Sequence, residues 1–297
     1  MNVFLDVDGD YDCVGSAHGL FCIKKRGDRG EVCFQFWHPL MRLKSLITVP
    51  LVVSPHEIKI GFGFDSLSQT YKVIVLMFGL GEILLKAHTM GTMAWKRLPS
   101  LKGFSFLAET YGQYVMDTLN WLALNDTSRF SHKATCTDMQ QLVIFSLHLN
   151  VDHLDPDLDD LPSKFLHVPR GLDIEVPEFE PVLSVLSDSL CLVIFLSRVH
   201  KIWQMKEFRV IDSWSIMFIV NYDHLGICPF LPLQPLCLVE DVNVLVMVDN
   251  IADIKLLYLY DRRVNIFVGQ IEIPVCRDVA WDYLPCLVQN PNLELPG

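Results

Sequence analysis

The chain has 297 residues, 51% of them hydrophobic, and a formal charge of −11. A chain of this length and composition buries a full core without disulfide help, which excludes extended disorder. The acid excess argues against a general nucleic-acid or anionic-membrane surface, since both call for clustered Lys and Arg.

The opening "MNVFLDVDGDYD" is acidic and carries no basic segment ahead of an apolar core, so it is not a signal peptide. Residues 1–14 read as an acidic leader with little structure, and residues 15–297 as one folded domain. Within the leader, "NVFLDVDGD" at 2–10 resembles the first motif of haloacid-dehalogenase-type phosphatases. That resemblance implies Asp6 as nucleophile and Asp8 as general acid, two carboxylates side by side at a strand end. The usual Thr after the glycine is Asp10 here, and the alternating helices of that family have no signal downstream. A solvated acidic leader is the preferred reading.

Further along, "GLFCI" and "VCFQFW" read as strands around "KKRGDR" at 24–29, a hairpin turn flanked by charges rather than an adhesion motif at Arg26-Gly27-Asp28. Next comes "IGFGFDSLSQTYKVIVL" at 60–76. A dinucleotide fingerprint needs a third glycine and a following helix whose N-terminus receives the pyrophosphate. Gly61-x-Gly63 has neither, and "DSLSQT" turns the chain into the strand "KVIVLMF", so this is a β-hairpin. The apolar run "VIVLMFGLGEILL" is too short to span a bilayer and is broken by two glycines and a glutamate.

The runs "YVMDTLNWLAL", "QLVIFSL", "SLCLVIFL", "VNVLVMV" and "KLLYLYDRR" also read as strands, while sustained helical periodicity is scarce. Residues 150–181, rich in proline and acid, read as a long inter-blade loop. Turn-led Leu-rich strands such as "SAHGLFCI", "MDTLNWLAL", "LSDSLCLVIF" and "VEDVNVLVMV" alternate with strands that end in a turn and an apolar landing residue. Four short strands recurring over roughly 40 to 60 residues are the signature of a β-propeller. The fold expectation is all-β, a propeller of five or six blades in a ring that need not close.

Chemistry-bearing constellations are weak. The nine cysteines include no CxxC pair and several lie in apolar runs, which fits a reduced compartment, cytoplasmic or nuclear, better than zinc or a disulfide framework. Asp6, Asp8, Asp10 and Asp12, and Asp155, Asp157, Asp159 and Asp160, look calcium-like, but neither run has the glycine and glutamate of an EF-hand loop. His148 and His153 lie near Asp152, but the two are not spaced i, i+4 on a helix and no further ligand presents itself. The six tryptophans, at 37, 95, 121, 203, 214 and 281, fall inside strand patterns, so packing is preferred to sugar stacking, although a carbohydrate-binding propeller stays open. No catalytic, cofactor or metal residue is assigned, and the partner-binding residues are unknown.

Several stretches together resemble the F-box-associated, kelch-like domain of plant F-box proteins. "GSAHGLFCI" at 15–23 is similar to its Gly-Ser-Cys-Asn-Gly-Leu turn, "FWHPLMRLKSL" at 36–46 to its Trp-Asn-Pro turn, and "IGFGFDSLSQTYKVIVL" to its Gly-Phe-Gly-Tyr-Asp hairpin. "MAWKRL" at 93–98, "YVMDTLNWLA" at 114–123, "IWQMKEFRVIDSWSIMF" at 202–218, "PLCLVEDVNVLVMV" at 235–248 and "LLYLYDRR" at 256–263 continue the series in order. The resemblance implies a kelch-like propeller that captures a protein substrate for a cullin-type ubiquitin ligase and is not itself an enzyme. In that family an N-terminal F-box binds a Skp-type adaptor. No helical Leu-Pro-rich segment precedes "GSAHGL" here, so adaptor binding is expected only if an F-box lies upstream. His38 stands for the usual Asn, and Asp117-Thr118 is read as replacing Asn-Gly at a tight turn.

Overall fold

The computed structural model describes residues 11–273 apart from 28–29, 49, 54–57, 80–81, 103, 108–110, 126–138, 158, 171–176, 197–198, 223–232, 240–242, 250–254, 262 and 264–265. Among these residues the fold is all-β, with no α-helix and with short turns of 3-10 helix, such as Met139–Gln141 and Ile211–Ser213, beside the strands. Among the described residues no helix is long and apolar enough to cross a membrane.

Five four-stranded antiparallel meanders follow one another, the repeating element of a β-propeller. The first is β1 (Tyr11–Ala17), β2 (Leu20–Arg26), β3 (Glu31–His38) and β4 (Leu43–Lys44), with β5 (Leu51–Val52) also on β3. The second is β6 (Ile58–Asp65), β7 (Thr70–Phe78), β8 (Ile83–Thr89) and β9 (Lys96–Leu101). The third is β11 (Tyr111–Val115), β12 (Thr118–Leu124), β13 (Leu142–His148) and β14 (Ser163–His167), with β10 (Ser105–Phe106) on β12. The fourth is β15 (Val182–Leu186), β16 (Ser189–Leu196), β17 (Val199–Met205) and β18 (Trp214–Asn221). The fifth is β19 (Leu233–Val239), β20 (Val244–Asp249), β21 (Lys255–Asp261) and β22 (Ile266–Ile273). The chain divides into two compact units, the first holding the first three meanders and the second the last two.

Three sequence readings change. β1 opens at Tyr11, so regular structure reaches into the stretch read as leader. "YVMDTLNWLAL" is a hairpin rather than one strand: Met116 and Asp117 both take positive φ, 44° and 59°, closing the two-residue turn between β11 and β12. The turn residues are therefore Met116-Asp117, not Asp117-Thr118. Residues 150–181 are not wholly a loop between blades, because β14 lies inside them and completes the third meander.

The central strands are continuous apolar runs because both of their faces are covered. On β7, Val73 and Val75 join a core with Phe34 and Phe36 of β3 and Ile60 and Phe62 of β6. Its alternate residues Ile74, Leu76 and Phe78 join a second core with Trp121 of β12 and Phe145 of β13. In the second unit, β16, β17, β18, β20 and β21 share a core that includes Phe195, Phe218, Leu245 and Tyr258. There His200 is buried, its Nδ1 2.7 Å from the Tyr222 hydroxyl, and desolvation lowers its pKa to about 3, so the ring is neutral at pH 7.

The glycines of "IGFGF" serve packing. β6 pairs in parallel with β11, Gly61 opposite Gly112, and joins the second and third meanders into one sheet. A Cβ on Gly61 would lie 2.7 Å from Leu119 Cδ1, one on Gly63 2.3 Å from Tyr114 Cδ2, and one on Gly112 2.4 Å from Trp121 Cε2. Ring and aliphatic side chains lie flat on the bare backbone at this seam. Gly63→Ala should therefore lower stability by about 1–3 kcal/mol, the usual cost of overpacking, read as a lower urea midpoint. A midpoint equal to wild type would contradict the seam.

Candidate functional site

In the first unit β1, β6 and β11 lie side by side, and antiparallel alternation then brings several turns to one end. They are the β1–β2 turn at His18-Gly19, the β6–β7 turn at Ser66–Gln69, the β8–β9 connection, the Met116-Asp117 turn and the β13–β14 connection. Side chains bear this out. The His18 ring lies 4.8 Å from that of Phe64 and 6.4 Å from that of Tyr114, which joins the first turn to the strands that carry the others.

Below these turns sits a buried ion cluster. Lys72, on β7, is 0% exposed and its Nζ donates to Asp65 Oδ2 at 2.6 Å and to the Leu149 carbonyl at 2.9 Å. It also pairs with Asp152 Oδ2 at 2.6 Å. An ammonium taken out of water costs several kcal/mol unless each of its protons is met, and here three oxygens meet them. Asp65 in turn accepts the Leu67 N–H at 3.1 Å and the Ser68 hydroxyl at 2.7 Å, which shapes the β6–β7 turn. Burial pushes the Asp65 carboxyl up, but the bonds from Lys72 and Ser68 and the lysine charge outweigh it and hold its pKa below the usual value.

The cluster extends to each neighbouring turn. The Asp117 carboxylate accepts the Ser66 N–H at 2.9 Å and the Ser66 hydroxyl at 2.6 Å, and the Asp117 carbonyl accepts the Leu149 N–H at 2.9 Å. Asp152 accepts the Thr89 hydroxyl at 3.1 Å, and its carbonyl accepts Lys96 Nζ. Four connections from two meanders are thereby tied to one lysine. Two more buried lysines bridge elements nearby: Lys24 Nζ donates to the Tyr111 hydroxyl at 2.9 Å and pairs with Asp12, and Lys59 Nζ donates to the Leu107 carbonyl at 2.5 Å.

Above this fixed base the turn tips are apolar and exposed. Leu67 is 71% exposed, Met93 84% and Met116 66%. Exposed large apolar side chains are a feature that interaction surfaces share, and methionine adapts its shape to what it meets.

The residues singled out in the sequence fall elsewhere. Asp6, Asp8 and Asp10 lie outside the described residues, as do Asp28 and Trp281. The absence of α-helices among the described residues removes the alternating β/α frame that the phosphatase reading needs. Asp155 and Asp159 spend carboxylate oxygens on the backbone N–H groups of Asp157 and Asp155, at 2.9 and 2.6 Å. His148 Nδ1 accepts the Asn150 N–H at 3.1 Å, and Asp152 belongs to the lysine cluster. Among the described residues no group of three or more His, Cys, Asp or Glu could hold a metal ion. Trp37 and Trp121 are buried, and Trp95 packs on Phe34 and His88. Sequence reasoning missed Lys72 and Asp65, whose one signal is a lysine entering a strand that is otherwise apolar.

No known family model matches the chain. An F-box/kelch-repeat protein of Arabidopsis thaliana is 26% identical to it over 213 residues, which cover 69% of this chain and 51% of that protein. The match supports a relationship to the F-box/kelch-repeat proteins. The chain spans about half the length of that relative. Among solved structures, TolB from Acinetobacter baumannii overlaps 89% of the chain and 55% of its own, with a TM-score of 0.46 and 9% identity. A prolyl endopeptidase overlaps 89% of the chain and 43% of its own, with a TM-score of 0.45 and 9% identity. Neither overlap bears on mechanism.

Lys72→Met should cost about 3–5 kcal/mol, because it strands the Asp65 charge in the interior. Lys72→Met with Asp65→Leu should recover part of the loss in urea unfolding. A single variant within about 1 kcal/mol of wild type would show that the cluster is dispensable.

Proposed function

We propose that the chain is a protein-recognition module, and that the turn end of its first unit is where it binds. The observation that carries this reading is the set of exposed apolar tips, Leu67, Met93 and Met116, held on the buried lysine cluster. The relationship to an F-box/kelch-repeat protein supports the same reading and extends it. In the extended form the module acts as the substrate-capturing part of a cullin-type ubiquitin-ligase receptor, non-enzymatic in itself, and meets a Skp-type adaptor only through an F-box in the same polypeptide. Recognition of a folded or extended protein needs a pre-shaped apolar patch more than it needs reactive groups, and hot spots concentrate in such patches.

The test compares the full chain with a Leu67→Ser, Met93→Ser variant. Both side chains lie mostly in solvent, so the variant should match the wild-type melting temperature. It should also lose the proteins that cross-link to the wild type in plant cell extract. An unchanged set of cross-linked proteins would overturn the assignment of this face.

A further inference from the structure

The chemistry of the partner can be read from what surrounds the apolar tips. The β13–β14 connection meets the turns that carry Met116 and Met93, through the Leu149 N–H on the Asp117 carbonyl and the Thr89 hydroxyl on Asp152, and is anchored by the buried side chains of Val151 and Leu154. Residues 152–160 carry five aspartates and no lysine or arginine. Asp152 is engaged by Lys72 below, while Asp155, Asp157, Asp159 and Asp160 are exposed. The connection is fixed against the β8–β9 turn that carries Met93, through the Thr89 hydroxyl and Lys96 Nζ on Asp152. Neighbouring cations neutralise it only in part. Lys72, Lys96 and Arg97 bring three positive charges against the five aspartates, with Arg97 4.0 Å from Asp157 and both of those side chains more than half exposed, so the stretch keeps a net negative charge.

We infer that the turn end of the first unit takes a basic segment of its partner, one in which Lys or Arg residues are interspersed with large apolar side chains. This rests on the proposed docking role of the same face. The apolar residues of such a segment would cover Leu67, Met93 and Met116, while its cations would meet the aspartates of 155–160. An acidic segment would face net repulsion at the same place, so the loop disfavours some partners as well as attracting others. Attraction of this kind acts mainly on encounter and is screened by salt, whereas the apolar tips determine how long the segment stays.

Selection of random twelve-residue peptides displayed on phage, with the full chain as bait, tests this directly. The inference predicts enrichment of peptides with two or more Lys or Arg next to Leu, Ile, Phe or Met. Synthetic copies should bind about tenfold more weakly to a variant carrying Asn at positions 155, 157, 159 and 160. Asparagine keeps a carbonyl oxygen for the two loop hydrogen bonds, so the variant retains the turn while losing its charge. Enriched peptides without basic residues, bound equally by the Asn variant but lost in the Leu67→Ser, Met93→Ser variant, would overturn the inference and leave the docking face standing. No enrichment, or enrichment indifferent to Leu67→Ser, Met93→Ser, would overturn both.

Discussion

The first unit is organised around one buried ammonium group. Lys72 enters the interior because three oxygens from two connections converge on it: Asp65 before its own strand, and Leu149 and Asp152 just beyond β13. Removing the lysine would leave a buried carboxylate and an unmet carbonyl, so the cluster is worth far more as a constraint than as net stabilisation. A hydrophobic replacement of the whole group would hold the strands together equally well. The ion cluster does so through directional bonds, and with the Asp117 bonds to Ser66 and Leu149 and the Asp152 bonds to Thr89 and Lys96 it links the four turns into one network.

The seam between β6 and β11 supplies the other half of the constraint. Gly61, Gly63 and Gly112 let Tyr114, Leu119 and Trp121 lie against the backbone, so the second and third meanders form one sheet. The seam sets the lateral spacing of the turns, and the ion cluster links them. With both fixed, Leu67, Met93 and Met116 stay in water without a compensating collapse, which is the condition an apolar recognition surface needs.

Much of the architecture is legible in the amino-acid order because the central strands face two cores each. A run such as "KVIVLMF" has no polar alternation to confuse with a surface strand, and "DSLSQT" punctuates it. Where punctuation fails, so does the reading. Met116-Asp117 closes a hairpin without glycine, and the apolar pattern passes through it unbroken. β14 was hidden because "SKFLH" is short and embedded among prolines and acids. The candidate site was less legible still. Lys72 looks like an ordinary charged residue at a strand entrance and Asp65 like an ordinary turn residue, and only the return of β13 past them makes a buried cluster. The acidic run at 155–160 is visible as charge, but its place just beyond Asp152 of the lysine cluster and next to Arg97 of β9 belongs to tertiary structure.

The central claim is that the cluster holds the turns of two meanders as one rigid base. Native-state hydrogen exchange on the amides of Ser66, Leu67 and Leu149 measures this most directly. These amides bond to Asp117 Oδ1, Asp65 Oδ1 and the Asp117 carbonyl, and none of the three bonds belongs to a strand ladder. The account predicts that all three exchange slowly and together, with protection close to that of the β7 amides. Exchange at the rate of open loops, with β7 still protected, would contradict it.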